Sequence, residues 1–215
     1  MSQQLLQTLI AVAIFILVAF PVHEFSHAFV AFRLGDSTAR WQGRLTLNPI
    51  VHFDPLGGGL LALSALLGGI FIGWAKPTPV NPYNLRYGHR GEAIVALAGP
   101  LSNLVMGAAV AIPLRLINMN DAMSASIASS DAAIFVYGVA ANFLLINVFL
   151  MVFNLLPIPP LDGWRVLLGL VDPRTAYSLR SYEQYGFLLL FLIIIIAPSF
   201  IGNLGFTIAR FLLGT

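Results

Sequence analysis

Three residues in one apolar stretch have the types and spacing for metal chemistry. In "FPVHEFSHAFVAF", His23, Glu24 and His27 interrupt a run otherwise fit to cross a bilayer. Positions i and i+4 share a helix face, so the two imidazoles point at one ion with Glu24 beside them. That is the donor set of a zinc hydrolase, with two nitrogen ligands and a carboxylate that takes a proton from a metal-bound water. Chance placement, with both histidines satisfied by neighbouring backbone, is the plain alternative. It has to meet the cost of an acidic residue near a helix centre in a membrane, about 2.5–3.5 kcal/mol.

Two histidines leave a catalytic zinc one protein ligand short. The chain has no cysteine, which removes thiolate sites, thiol nucleophiles and disulfides together. The remaining acids are Asp36, Asp54, Glu92, Asp121, Asp131, Asp162, Asp172 and Glu183. Asp36 and Asp131 read as helix-end or turn residues, and Asp172-Pro173 reads as a turn. Asp162 stands apart. It lies in "FNLLPIPPLDGWRVLLGL", where Pro157, Pro159 and Pro160 break a long apolar helix, and broken helices at membrane depth belong where backbone is buried or lines a cavity. Glu92 and Glu183 are the alternatives for the third position.

The elements that must position these residues are membrane spans. Of 215 residues, 58% are hydrophobic and 9% charged, far from the balance of about 25% charged in a soluble domain. This excludes a soluble enzyme, a disordered chain and a nucleic-acid binder, and the net charge of +2 reflects span orientation rather than a polyanionic partner. The N-terminus "MSQQLLQ" has no basic n-region and no small-residue cleavage site follows it, so the first helix is expected to be retained. Spans are predicted over 4–34, 91–116 and 131–156. "TARWQGRLTLNP" alternates around Gly43 and predicts a short interfacial β-hairpin. "WAKPTPVNPYN" predicts an extended loop. The run from Gly186 to Leu213, broken by Pro198, Gly202 and Gly205, predicts one kinked span or a helical hairpin.

The chain resembles the site-2 protease family of intramembrane zinc metalloproteases through "HEFSH" in a span, "AGPLSN" in a later one and "NLLPIPPLDG" near the end of another. These occur in the family's order over residues 20–170. The resemblance implies His23, His27 and Asp162 as zinc ligands, Glu24 as the catalytic glutamate and Asn154 as a residue that handles substrate. The resemblance is to a short form, expected without a PDZ-like insertion or a CBS-like domain. Helix lengths give a topology that does not depend on the family. His23 lies about 27 Å along its helix from Leu5, and Asn154 about 35 Å from Asp131. For the metal motif and Asp162 to meet, their helices must run in the same direction. The span between them crosses the other way, so residues 55–73 must dip in and return. Arg33, Arg40, Arg44, Lys76, Arg86, Arg90, Arg165, Arg174 and Arg180 then share the active-site side against Arg115, which makes that side cytoplasmic.

The expected protein is thus an all-α polytopic membrane protein, one integral domain over residues 1–215 in the cell membrane. It has a three-helix catalytic core, a re-entrant segment, a short hairpin and a C-terminal helical element. The expected function is a zinc endopeptidase cutting membrane-protein substrates within or near their transmembrane segments. The alternative is a non-catalytic metal-binding or metal-transport protein using the same ligands. His52, in "NPIVHFDP", reads as an interfacial loop residue before any part in a water path or oxyanion site, and Asn103 as a hydrogen bond between helices.

Overall fold

Ser2 opens the first helix, its hydroxyl accepting the Leu5 N–H at 3.3 Å. α1 (Gln3–Ile14) runs through a π-helical turn at Phe15–Ala19 into α2 (Phe20–Arg33) without leaving the helical path. Gln7, Ala11, Ala19, His23, His27 and Ala31 are among the buried residues, and their separations are multiples of four. Each four-residue step overshoots a turn by roughly 40°, so a plain α-helix would walk this ridge around its own circumference. The wider π turn takes up one more residue and brings the ridge back. The anchoring half and the half carrying the metal motif therefore bury one continuous line. The computed structural model describes residues 2–57, 76–196 and 198–215.

α2 closes on Gly35, at φ +108°, with Gly35 N–H donating to Phe32 and Asp36 N–H to the Ala31 carbonyl. This is the Schellman arrangement, which needs a residue at positive φ. The same device recurs eight residues later and corrects the hairpin expectation. Thr38–Trp41 forms one helical turn, α3, closed by Gly43 at φ +69°, with Gly43 and Arg44 N–H donating to the Arg40 and Ala39 carbonyls. No strand occurs among the described residues. The glycine marks a positive φ, which a hairpin turn and a helix C-terminus both use, and Asp36 decides for the helix by accepting both the N–H and the hydroxyl of Thr38. A further short helix, α4 (Pro49–His52), follows.

The expected re-entrant stretch over 55–73 lies, from residue 58 on, outside the described residues. On either side of it, Lys76 N–H donates to the His52 carbonyl at 3.1 Å and Arg44 to the Lys76 carbonyl at 3.3 Å. Both described flanks are thus joined to each other, beside Phe20 at the start of α2, whose ring packs edge to face on His52. Asp36 tightens the junction. It is fully buried and also accepts from Asn81 N–H at 2.7 Å and the Asn84 amide at 3.1 Å, which ties the extended 76–84 stretch to α2.

α5 (Gly88–Asn118) crosses back, the short α6 (Asp121–Ala128) turns the chain, and α7 (Asp131–Asn154) crosses again. These two and the helix over Gln3–Arg33 are long and apolar enough to span a membrane. Gln7 donates to the Ile134 and Phe135 carbonyls at the start of α7, so the first and third spans run parallel as expected. Past Pro157, Pro159 and Pro160, α8 (Asp162–Leu170) packs back on α5, followed by α9 (Pro173–Arg180). α10 (Gly186–Ile196) starts against Pro159, whereas α11 (Pro198–Leu213) ends where Arg115 donates to the Phe211 carbonyl, at the far end of α5. The described helices of the C-terminal run therefore lead from one end of α5 to the other and do not return as a hairpin. Nine of the eleven basic residues sit at the Asp162 end, and Arg115 and Arg210 sit at the other.

Single cysteines placed at the exposed Tyr83 and Tyr177 should react with an impermeant thiol reagent from one face of the membrane, and one at Ser126 from the opposite face. Labelling of Tyr83→Cys and Tyr177→Cys from different faces would overturn this topology. Asp36→Ala strands several buried donors and should cost on the order of 2–3 kcal/mol. Burial pushes the Asp36 carboxyl up, but hydrogen bonds from Thr38, Asn81 and Asn84 outweigh it and hold it below the usual carboxylate range. The stabilisation is then complete above about pH 4. It disappears as the pH falls through the lowered value, so thermal unfolding of wild type and Asp36→Ala in detergent should converge in acid.

Candidate metal centre

Two turns of α2 and one proline-bent corner build the site. His23 and His27 lie on the buried ridge of α2, with their Nε2 atoms 3.1 Å apart and their rings edge to face. Asp162, at the first position of α8, brings Oδ2 to 3.3 Å from each of them. Zinc bonds of about 2.0–2.2 Å at tetrahedral angles separate neighbouring donors by about 3.3–3.5 Å. The three donor atoms thus form a triangle of the size this ion requires. Both histidines are buried, and the Asp162 side chain keeps 18% of its surface, enough to leave one side of the triangle approachable. Burial pushes the Asp162 carboxyl up, yet the imidazoles of His27 and His23 hold it well below the usual carboxylate range, in the anionic form a cation needs.

The outer nitrogens of the imidazoles are committed to protein. His27 Nδ1 lies 2.8 Å from the Val95 carbonyl, and His23 Nδ1 lies 2.5 Å from Asn103 Oδ1, both acceptors on α5. Such bonds orient ligating imidazoles and raise their basicity. α5 approaches this closely because the facing residue is Gly99. A Cβ there would lie 2.3 Å from His27 Nε2 and 2.6 Å from His23 Nε2, inside the space between the donors.

Glu24 stays out of the triangle. Its carboxylate is buried and accepts from the Thr78 hydroxyl at 2.7 Å, so the 76–84 stretch fastened by Asp36 delivers a hydrogen-bond donor to the carboxylate next to the metal motif. The alternative third ligands are occupied elsewhere. Glu92 pairs with Arg180 at 3.0 Å, and Glu183 accepts from Trp164 Nε1 at 3.0 Å. Asn154 ends α7 with its amide donating to the Leu150 carbonyl in its own helix. His52, expected as an interfacial loop residue, ends α4 and is fully buried, with Nε2 at 2.9 Å from the Thr46 carbonyl. Sequence reasoning passed over Thr78 and Gly99. Thr78 lies between Pro77 and Pro79 in what reads as a loop, and Gly99 carries no functional group for a pattern to flag.

A buried triangle of two imidazoles and a carboxylate, with a second carboxylate beside it and three apolar spans around it, is the framework of a membrane-embedded metallohydrolase. Relatives specify it further. The chain is 37% identical over 183 residues, covering 85% of itself and 78% of the relative, to the Bacillus subtilis (strain 168) protein named "Putative zinc metalloprotease YwhC". It is 36% identical over 181 residues to "Putative zinc metalloprotease Rip2" of Mycolicibacterium smegmatis, covering 83% of itself and 63% of that protein. Against the Rip2 of Mycobacterium tuberculosis strain H37Rv it is 33% identical over 187 residues, covering 86% and 66%. The chain belongs to the family of zinc metalloproteases that includes YwhC and Rip2. No family model matches it. No solved structure matches it.

Gly99→Ala puts a methyl group between the donor atoms and should abolish stoichiometric zinc in the purified protein, as read by elemental analysis; full occupancy would mean the ion sits elsewhere. Thr78→Val should keep zinc and lower the turnover number about 10- to 100-fold, the worth of one hydrogen bond to a charged group.

Proposed function

We propose that this chain is an intramembrane endopeptidase of the site-2 protease kind, acting on peptide bonds in or near transmembrane segments of other membrane proteins. The observation that carries the reading is the His23–His27–Asp162 triangle, of the size zinc requires, with Glu24 alongside but outside it. Zinc held by these three residues supplies a Lewis acid for the scissile carbonyl and lowers the pKa of water at the site. Glu24 takes the proton from the attacking water and returns it to the departing amine. Thr78 keeps the Glu24 carboxylate in place between the two transfers. Asn154 is assigned to the substrate backbone on the strength of the family resemblance alone.

The placement of Glu24 favours catalysis over metal carriage. A carrier gains nothing from a buried carboxylate left out of the donor set and held by its own hydroxyl partner. Nine basic residues on the Asp162 side make that side cytoplasmic and set the site toward that face. The substrate must unwind there, because a helix hides its carbonyls in i to i+4 hydrogen bonds. Segments carrying Gly, Pro or Asn near their cytoplasmic end are therefore the preferred class.

Purified protein incubated with a panel of single-pass membrane proteins should cleave at least one, and a zinc chelator should stop it. Glu24→Gln should keep its zinc and lose cleavage by about 100- to 10,000-fold, the range of general-base removal. Retained cleavage in Glu24→Gln ends this mechanism. Replacing the helix-weakening residues of a cleaved segment by Leu should suppress its cleavage, and equal cleavage would show that unwinding is not limiting.

A further inference from the structure

Behind His23 runs a line of hydrogen bonds that reaches across two more spans. Asn103 Oδ1 lies 2.5 Å from His23 Nδ1, Asn103 Nδ2 donates to Asn147 Oδ1 at 3.0 Å, and Asn147 Nδ2 donates to the Phe143 carbonyl at 2.9 Å. Both asparagines are fully buried, in a region built otherwise from Leu144, Val148, Ala111 and their apolar neighbours. We propose that Asn103 and Asn147 are positioning residues that fix which nitrogen of His23 carries the proton.

The argument runs from the far end of the line. An amide can be turned over, exchanging its donor and acceptor ends, and an imidazole can carry its proton on either nitrogen, so neither alone has a direction. A backbone carbonyl can only accept. The Phe143 carbonyl therefore requires the NH2 end of Asn147, which leaves Asn147 Oδ1 facing Asn103. That oxygen requires the NH2 end of Asn103, which leaves Asn103 Oδ1 facing His23. This oxygen in turn requires a proton on His23 Nδ1, so the nitrogen left to give a lone pair to a metal ion is Nε2. Reversing any one member sets two acceptors against each other in a buried, otherwise apolar region. His27 has the same assignment more directly, since Val95 offers it a backbone carbonyl. One imidazole is thus fixed by the main chain of α5 and the other by a main-chain group of α7, transmitted through two side chains.

The inference rests on the zinc reading of the triangle for its consequence, but the proton on His23 can be read without metal. In 15N-histidine NMR of the metal-free, detergent-solubilised full chain, His23 Nδ1 should carry a slowly exchanging, hydrogen-bonded proton, and Asn147→Leu should speed its exchange while the Nδ1 proton of His27 stays unchanged. Zinc affinity, measured by competition with a chromophoric chelator, should fall about 10- to 100-fold in Asn103→Leu, the usual cost of losing a partner behind a ligating histidine. It should fall about tenfold in Asn147→Leu, although Asn147 touches neither His23 nor the donor triangle. The double variant should be no weaker than Asn103→Leu alone, because the two act in series.

Asn103→Asp supplies an acceptor whose direction needs no fixing. Introduced into the Asn147→Leu background, it should restore zinc affinity, which a packing role for Asn147 would not allow. Unchanged exchange of the His23 Nδ1 proton and unchanged zinc affinity in Asn147→Leu, full additivity of the two losses, or no rescue by Asn103→Asp would each overturn the proposal. If Asn147→Leu fails to fold, Asn147→Ala, which removes the same amide without adding volume, takes its place in each of these measurements with the same expected and overturning results. Absence of zinc binding by the wild type would instead defeat the metalloprotease reading, and the NMR result would still judge the line of hydrogen bonds.

Discussion

Charged and metal-ligating groups placed among apolar helices must find their partners within the protein, since hydrocarbon offers none. Around His23, Glu24, His27 and Asp162 this requirement accounts for most of the local architecture. Each imidazole has an acceptor on α5, the glutamate has a hydroxyl from the 76–84 stretch, and the aspartate faces the two imidazoles. Small residues along α5, from Ala93 through Ala96 and Gly99 to Gly107 and Ala111, let backbones come near enough for these bonds to form. The apolar spans provide an enclosure, and the short polar contacts set the positions within it.

The corner at Pro157–Pro160 follows from the same requirement. A third donor on α7 itself would have needed the helix to continue toward its end with a carboxylate facing the bundle. Breaking the helix instead and starting α8 at Asp162 turns the aspartate back toward α2. The cluster formed by Glu92, Arg180, Glu183 and Trp164 then holds the elements after the corner against α5. The family membership shown by YwhC and Rip2 agrees with a fold organised around this centre.

Much of this was legible in the sequence because intramembrane polar residues are costly and so stand out. His23, Glu24 and His27 were visible for that reason, Asp162 stood out by the proline-broken helix before it, and the direction of the spans followed from helix length. The hairpin was misread because Gly43 reports a positive φ without saying whether a strand pair or a helix end uses it. The burial of His52 was hidden because interfacial composition does not distinguish a residue under the surface from one on it. Thr78 was obscured by its prolines, which identify extended backbone and say nothing of where it leads. Asn147 was the more avoidable omission: it is an amide in the middle of a span, the kind of residue that Asn103 had already shown to need a partner.

The π turn at Phe15–Ala19 separates the first span into two segments whose angular settings are independent. Upstream, the rotation of the helix is set by Gln7 and Ala11 against α7; downstream, it is set by the imidazoles against α5. A rigid α-helix would have to compromise between these two settings, and any change in one would be transmitted in full to the other. With an extra residue looped out between them, the membrane anchor can drift in length and composition while the metal motif keeps its aim. The five residues that look like a flaw in the helix are thus a swivel, and they let selection act on the two ends of one span separately.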